Sequence, residues 1–219
     1  MLGSLFSTII NRGGEQGAQH SQALHSWYAH IPGLRVLMPS SVQDARDMLI
    51  AASQSEDPIL YIDDRWCYDQ VMEIDPIQST DITSFKPCVQ RNGTDVTVVA
   101  SGYSTVQSLR VAERLEVQNG IKCEVIDLRQ INPLDHAEIV KSVNKTGLLC
   151  AVDCGWSNCG LAGEVIALAS ENVNPQSFRK SPIRLTLTAS PAPSAANLEA
   201  AYYTTDDDIA EAILNLVST

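Results

Sequence analysis

Short apolar runs alternate with helical repeats along the first third of the chain. The runs at 1–10, 34–39 and 59–63 are rich in Ile, Leu and Val and predict buried strands. The segments between them, 21–31 and 42–54, carry apolar residues at the three- and four-residue spacing of amphipathic helices. Strand, helix, strand, helix and strand in this order predict an α/β unit with a parallel sheet.

Capping residues predict where these two helices begin and end. Ser21 and Ser41 precede the helical repeats and are predicted N-caps, while Pro32-Gly33 ends the first helix. Each helix is expected to pack one apolar face on the sheet. The residues predicted to form these faces are Leu24, Trp27, Tyr28 and Ile31 in the first helix and Val42, Ala45, Leu49 and Ala52 in the second.

A second α/β series follows a polar segment, 69–94, which is predicted to be a linker. The last predicted helix carries Asp206–Asp208 in its first turn, where the positive end of the helix dipole favours negative charge. We therefore divide the chain into 1–68, the C-terminal part of a first α/β domain, the linker, and 95–219, a complete α/β domain with a mostly parallel sheet. The predicted elements of the second domain are strands at 95–102, 121–129, 147–153 and 183–188, and helices at 104–118, 133–143 and 163–172.

The chain is acidic, with 15 Lys and Arg against 26 Asp and Glu and a formal charge of −11. This balance argues against a nucleic-acid partner, which would need a basic face, and is compatible with a basic protein partner or with solubility alone. No apolar run approaches the roughly 18 residues of a membrane span, and the apolar start lacks the basic flank of a signal peptide. We therefore predict a cytoplasmic protein with no membrane contact.

The last three of the six cysteines are closely spaced. Cys150, Cys154 and Cys159 form the pattern C-x3-C-x4-C. Structural zinc sites usually pair their cysteines as C-x2-C, so this spacing favours buried or loop thiols over a metal site. Free thiols suit a reducing cytoplasm.

The stretch GGEQGAQHSQ, 13–22, carries the residue types best suited to chemistry. Its glycines permit positive φ and close backbone approach, and Gln19 and Gln22 can orient a polar ligand. His20 directly precedes the predicted helix start, where the dipole favours a neutral imidazole that can exchange a proton near pH 7. The alternative is that His20 caps its own helix and the loop is only a turn.

Two further histidines in this region are interpreted as structural. His25 lies off the predicted apolar face and is expected to be exposed to solvent. His30 falls in the last turn of the predicted helix, where a charged imidazole complements the dipole. Neither is predicted to take part in chemistry.

Several longer stretches carry a family resemblance. In the first half they are GAQHSQ, HIPGLRVLMPSS and DPILYID, and in the second half DVTVVASGYSTVQSLRVAERL and EVIDLRQINPLD. Together they resemble the β subunit of the thiamine-diphosphate-dependent 2-oxoacid dehydrogenases, the E1 component of pyruvate and branched-chain 2-oxoacid complexes. The resemblance covers nearly the whole chain from Asn11 onward. It implies a partial pyrimidine-binding, transketolase-like domain at 1–68 and a complete transketolase C-terminal domain at 95–219.

The resemblance implies a cofactor site shared between two kinds of subunit. The β subunit supplies the half that binds the pyrimidine of thiamine diphosphate, and an α-type E1 subunit supplies the half that binds Mg²⁺ and the diphosphate. By this resemblance His20 is the catalytic histidine, which assists decarboxylation and acyl transfer to the lipoyl arm of E2. Gln19, Ser21 and Gln22 are the matching cofactor-binding residues. The implied assembly has two α and two β chains and binds the E2 lipoyl acyltransferase.

The resemblance also implies a potassium ion held largely by backbone carbonyl groups. In this family the ion lies at a helix end that is followed by an Asp-Pro or Asn-Pro step. The matching residues in this chain are Ala52, Ser53, Ser55 and Asp57.

The sequence departs from the family at the cofactor-activating glutamate. That residue would precede residue 1, and Glu15 does not replace it because Glu15 lies in the loop beside the histidine. We therefore expect an N-terminally truncated or split domain that is inactive as an isolated chain. One alternative is a non-catalytic module for assembly and E2 docking.

A second alternative is another transketolase-like enzyme that acts on sugar phosphates, such as transketolase or deoxyxylulose-phosphate synthase. Such an enzyme would need a cluster of basic residues to bind the phosphate. Arg12, Arg35, Arg46 and Arg65 are dispersed along the sequence, which disfavours this reading.

Overall fold

Two β-sheets organise the chain in a computed structural model that describes residues 3–77 and 79–218. The strands are short and rich in β-branched residues, as in β5, VTVVA, whose side chains are all buried. Within the described residues the strands are β1 (Leu5–Ile10), β2 (Arg35–Leu37), β3 (Ile59–Asp64), β4 (Cys88–Arg91), β5 (Val96–Ala100), β6 (Cys123–Asp127), β7 (Gln130–Asn132), β8 (Leu149–Trp156) and β9 (Ile183–Leu187).

The strand orders confirm the predicted α/β class with mostly parallel sheets. The first sheet has the order β1-β3-β2-β7, and the second has the order β4-β6-β5-β8-β9. The pairs β1–β3, β2–β3, β5–β6, β5–β8 and β8–β9 are parallel. The strands β7 and β4 pair antiparallel with β2 and β6 at the sheet edges. Parallel pairing of this kind requires crossover connections, which the helices provide.

Two of the helices show recognisable capping at one end. Ser41 accepts a hydrogen bond from the backbone N–H of Asp44, and Gly120 ends a long helix at a φ of 70°. No helix of the described residues has both the length and the apolar character of a membrane span. The helices are α1 (Gly17–His20), α2 (His25–Ala29), α3 (Val42–Gln54), α4 (Tyr103–Asn119), α5 (Ala137–Thr146), α6 (Leu161–Asn172), α7 (Ala196–Tyr202) and α8 (Asp206–Val217).

The largest core cluster joins the two sheets. It contains Val36 of the first sheet and Ile126 and Leu149 of the second, all fully buried. Ile10 and Ala23 belong to the same cluster and lie on either side of the Gly-rich loop. Both ends of that loop are therefore anchored in a core that the two sheets share.

The prediction for the first helix is wrong in its start and in its buried face. The helix α1 ends at His20 and α2 begins at His25, so Ser21 follows a short helix instead of capping a long one. Trp27, predicted to face the core, is 69 % exposed, and Ile31 is also exposed, whereas His25 is buried. Two short helices separated by a turn do not keep one continuous face, so the eleven-residue periodicity does not apply.

The predicted burial of the first strand is also wrong. The strand β1 forms the edge of the first sheet, and Leu5, Phe6 and Ile9 are exposed while Ile10 is buried. An edge strand pairs on one side only, so an apolar sequence alone does not determine how much of it is covered. In α3, likewise, Leu49 is exposed although its spacing predicted an apolar face.

The segment predicted as a linker contains structure. Its last part forms β4, and Ile82 and Phe85 pack with Met48 of α3 in a separate core cluster. In addition, β7 from beyond this segment completes the first sheet. Chain segments from both sides of this segment share a sheet and a core, and the division of the chain at 69 and 94 stays a prediction.

A buried carboxyl group at the end of β6 predicts a pH-dependent stability. Burial raises the pKa of Asp127 to about 7, although the Ser40 hydroxyl and the backbone N–H of Arg129 donate hydrogen bonds to it. The folded state therefore binds one proton more than the unfolded state between about pH 4 and 7, and this group lowers the stability as the pH rises through that range.

Asp127→Asn should remove this dependence. We expect the free energy of unfolding of the variant, relative to the unmodified chain, to increase by on the order of 4 kcal/mol between pH 4 and pH 8, measured by urea denaturation. Asp207→Asn, at an exposed carboxylate, is the matched control and should show no such trend. If the free energy of unfolding of Asp127→Asn differs from that of the unmodified chain by the same amount at every pH, the prediction is contradicted.

Candidate functional site

A cleft of about 430 Å³ lies between β1 and the loop that contains the predicted catalytic residues. Its lining combines apolar and polar side chains, which suits a ring-shaped ligand with hydrogen-bonding groups at its edge. The apolar lining residues are Ile9, Ile10, Leu24, Tyr28 and Ile62, and the polar ones include Asn11, Gln16, Gln19, His20, Gln22, His25 and Arg65.

The loop beside this cleft is held by an aromatic cluster. Gly13 has a φ of 67°, and a Cβ atom there would lie 2.7 Å from the Trp66 ring, so only glycine fits. The Trp66 indole N–H donates a hydrogen bond of 2.7 Å to the Arg12 carbonyl oxygen. The Arg12 guanidinium forms a buried ion pair with Asp64 and stacks against the rings of Trp66 and Tyr103. These contacts fix the start of the Gly-rich loop.

The structure places three of the four predicted site residues on the cleft. Gln19, His20 and Gln22 line it, and His20 is exposed. The Gln22 side-chain amide donates a hydrogen bond of 2.7 Å to the Ala18 carbonyl oxygen. Because His20 ends α1 instead of preceding a helix, the dipole argument for its neutral form is wrong. Its catalytic role stays a prediction that rests on its position in the cleft.

Ser21, the fourth predicted residue, is buried and does not line this cleft. Its carbonyl oxygen accepts a hydrogen bond of 3.1 Å from the Tyr203 hydroxyl, which ties the loop to the C-terminal part of the chain. The geometry therefore assigns Ser21 a structural contact, and its contribution to cofactor binding stays a prediction.

None of the described residues that line the cleft is an aspartate or a glutamate. Glu15 lines a different cavity, together with Trp66 and Tyr103. Its backbone N–H donates a hydrogen bond of 2.8 Å to the Glu199 carboxylate. This agrees with the expectation that Glu15 does not replace the cofactor-activating glutamate.

The expectation that His25 is exposed is wrong. Its side chain is fully buried, and Nε2 lies 2.9 Å from the Asp153 carboxylate. Burial lowers the pKa of His25, but the Asp153 carboxylate outweighs burial and holds that pKa well above its usual value. Burial also raises the pKa of Asp153, and the His25 imidazolium overcomes this and lowers it. The pair is therefore charged at neutral pH.

The sequence analysis did not identify the buried pair of His25 and Asp153, because the two residues lie far apart in the sequence. One signal was available, since the run GLLCAVD predicts a strand whose last residue is an aspartate. An aspartate at the end of a buried strand needs hydrogen-bond donors or a positive charge. The backbone N–H groups of Gly155 and Ala162 also donate to Asp153, at 2.9 and 3.0 Å.

The residues matched to a potassium site lie at the end of α3. The Ala52 carbonyl oxygen accepts a hydrogen bond of 3.3 Å from the Ser55 N–H, and the Ser53 hydroxyl donates to the Ile50 carbonyl oxygen. The Asp57 carboxylate is paired with Arg35 at 2.7 Å. A cation at this place would therefore depend on backbone carbonyl groups, and the site stays a prediction.

The three closely spaced cysteines differ in their surroundings. Cys150 and Cys154 are buried, Cys159 is exposed, and all three are free thiols. Cys154 lies instead with His25 and Asp153, a buried group whose ligand atoms are all within 4.8 Å of one another.

Residues 86–209 match the family "Transketolase, C-terminal domain". The chain is similar to the pyruvate dehydrogenase E1 component subunit beta of Saccharomyces cerevisiae, a mitochondrial protein, with 35 % identity over 92 % of this chain and 56 % of the relative. It is 35 % identical to the Rhizobium meliloti subunit beta, over 90 % of this chain and 44 % of that protein. The acetoin:2,6-dichlorophenolindophenol oxidoreductase subunit beta of Bacillus subtilis is 33 % identical, over 96 % of this chain and 60 % of that protein. The chain thus spans about half the length of these relatives.

A solved structure described as a split gene transketolase, inactive beta4 tetramer, has a similar fold. The TM-score is 0.73 at 22 % sequence identity, over 97 % of this chain and 65 % of that chain. At this identity the likeness supports the fold alone.

Proposed function

The chain belongs to the transketolase C-terminal domain family, and from this premise we propose that it is a β-type subunit, or part of one, of a thiamine-diphosphate-dependent 2-oxoacid dehydrogenase E1 component. The observation that carries the proposal is the cleft with Gln19, His20 and Gln22 in its lining. Support also comes from the pyruvate dehydrogenase E1 β subunits to which most of this chain is similar.

The cleft fits the pyrimidine half of thiamine diphosphate. Its apolar side chains can hold an aromatic ring, and the side-chain amides of Gln19 and Gln22 can form hydrogen bonds with ring nitrogens and an amino group. When bound, the cofactor supplies the electron sink for decarboxylation of a 2-oxoacid. His20 would hold or move a proton at the substrate, since imidazole is the side chain most often used for this purpose.

The remaining parts of the site would come from outside this chain. The cleft lining has no carboxylate among the described residues, so the Mg²⁺ ligands are assigned to an α-type subunit and the cofactor-activating carboxylate to a further β-type segment. The proposed assembly is a heterotetramer of two α- and two β-type chains that transfers the acyl group to the lipoyl arm of E2. A cytoplasmic location belongs to this proposal, although the yeast relative is mitochondrial by name.

A non-catalytic assembly or E2-docking module is the second candidate function. The absence of a carboxylate from the described cleft lining favours it, because proton abstraction from the cofactor needs such a group. The sugar-phosphate alternative has no such support. Arg12, Arg35 and Arg46 are each paired with an aspartate, and Arg65 donates to the Asn11 side chain.

Isothermal titration of thiamine diphosphate and Mg²⁺ into the full chain tests the proposal. The titration is repeated with an α-type E1 subunit present, and again with that subunit alone. We expect binding in the mixture and none to the chain alone, because the two halves of the site lie on different polypeptides. If the α-type subunit alone binds as strongly as the mixture, the proposal is contradicted. The absence of binding in the mixture would also contradict it, and both results would favour the assembly module.

A further inference from the structure

Three potential metal ligands meet in the interior, apart from the residues assigned to the cofactor. His25 lies at the start of α2, and Asp153 and Cys154 are consecutive residues in β8. One ligand atom from each lies within 4.8 Å of the other two, and all three residues are buried. The main-chain segments that carry them are 128 residues apart.

We propose that His25, Asp153 and Cys154 form a binding site for a thiophilic divalent cation of the Zn²⁺ class. An imidazole, a carboxylate and a thiolate are ligands of zinc sites with three protein ligands and one open position. The thiolate disfavours Mg²⁺ and Ca²⁺, which prefer oxygen ligands. Binding releases the proton of the His25 imidazolium and the proton of the Cys154 thiol to solvent. The neutral imidazole, the carboxylate and the thiolate then carry two negative charges, which the divalent ion balances.

Two of the three ligand atoms are already close to the separation that a bound ion requires. The His25 Nε2 and Asp153 Oδ1 atoms are 2.9 Å apart. Two ligands at 2.0–2.1 Å from a tetrahedral ion are about 3.3 Å apart, so this pair must separate by a few tenths of an ångström. The backbone N–H groups of Gly155 and Ala162 orient the carboxylate from outside the site. His25 Nδ1 is buried and has no hydrogen-bond partner, so the contact of Nε2 with Asp153 is the hydrogen bond that coordination would replace.

The cleft beside His25 is the route by which a metal ion and its fourth ligand would reach the buried site. His25 borders the cleft of about 430 Å³, from which water can reach the site. The Arg12 guanidinium interacts electrostatically with Cys154, but its charge is balanced by Asp64. A bound ion would link α2 to β8 next to the His20 loop, and it would therefore stabilise the folded state by mass action.

Titration of Co²⁺ into the full chain tests this site. We expect one equivalent to bind, with a thiolate-to-metal charge-transfer absorption in the near ultraviolet and the visible bands of tetrahedral Co²⁺. Zn²⁺ should remove both signals by displacement. Cys154→Ser should abolish the charge-transfer band, whereas Cys159→Ser, at an exposed cysteine, should retain it. An absent band, or a band lost with Cys159→Ser and kept with Cys154→Ser, would overturn the proposal.

A second measurement does not depend on the variants being folded. X-ray absorption of the Zn²⁺-loaded, unmodified chain should show one sulfur at about 2.3 Å and nitrogen or oxygen ligands at about 2.0–2.1 Å. A coordination shell of the Zn²⁺ ion with no sulfur atom, or with several sulfur atoms, would contradict the assignment. Zn²⁺ should also raise the unfolding temperature of the unmodified chain, and an unchanged temperature would count equally against it.

Discussion

His20→Ala, introduced into the chain and assembled with an α-type subunit, is expected to lower the rate of lipoamide acylation by about 10²–10⁴-fold. The expectation rests on the proposed function and on the position of His20 in the lining of the cleft. A group that transfers a proton in the transition state affects the rate of the chemical step more than it affects ligand binding. The affinity of the complex for thiamine diphosphate should therefore stay close to that of the unmodified complex.

His30→Ala provides the matched control for this experiment. His30 is exposed, lies ten residues further along the chain, and lines a different cavity. The rate with His30→Ala should equal that of the unmodified complex. Equal losses for both variants would indicate a general effect of changing this region, and an unchanged rate for His20→Ala would exclude a catalytic role for His20.

Asp153→Ala is expected to lower the free energy of unfolding by about 3–5 kcal/mol, the usual cost of removing one partner of a buried ion pair. The variant leaves the His25 imidazolium buried without its counter-charge and removes the acceptor of two backbone N–H groups. Urea denaturation in the presence of a metal chelator measures the effect of the pair without a contribution from bound metal.

The best pH for this measurement follows from the raised pKa of His25 and the lowered pKa of Asp153. The raised pKa of His25 stabilises the folded chain fully below about pH 6.5, and this stability is lost as the pH rises through the folded-state value. The lowered pKa of Asp153 contributes stability above about pH 4 that is lost on acidification. Both contributions are therefore present near pH 5.5, where the variant should show its full loss.

Asp207→Ala is the control for the buried pair. The Asp207 carboxylate is 87 % exposed and contacts Arg114. Exposed pairs contribute only about 0–1 kcal/mol, so this variant should keep nearly the full stability. A loss for Asp153→Ala no larger than that for Asp207→Ala would show that the buried pair does not stabilise the fold.

Local sequence patterns were sufficient for the class of fold and for the site loop. The alternation of apolar runs with helical repeats predicts the α/β class, and Ser41 and Gly120 mark helix ends by contacts within a few residues. The motif that contains Gln19, His20 and Gln22 could also be identified, because the glycines and polar groups of a loop lie together in the sequence. These features depend on near neighbours along the chain, so periodicity and capping chemistry predict them.

The features that the sequence did not predict depend on contacts between distant residues. The burial of His25 follows from Asp153, and the position of Ser21 follows from Tyr203, 182 residues away. The exposure of β1 follows from its place at a sheet edge, where its sequence cannot show which neighbours are present. The amino-acid sequence by itself thus determined most of the elements, the family resemblance and the residues of the site loop. Only the tertiary structure decided which polar groups are buried together, because the pairing energy of such groups depends on burial and distance in space.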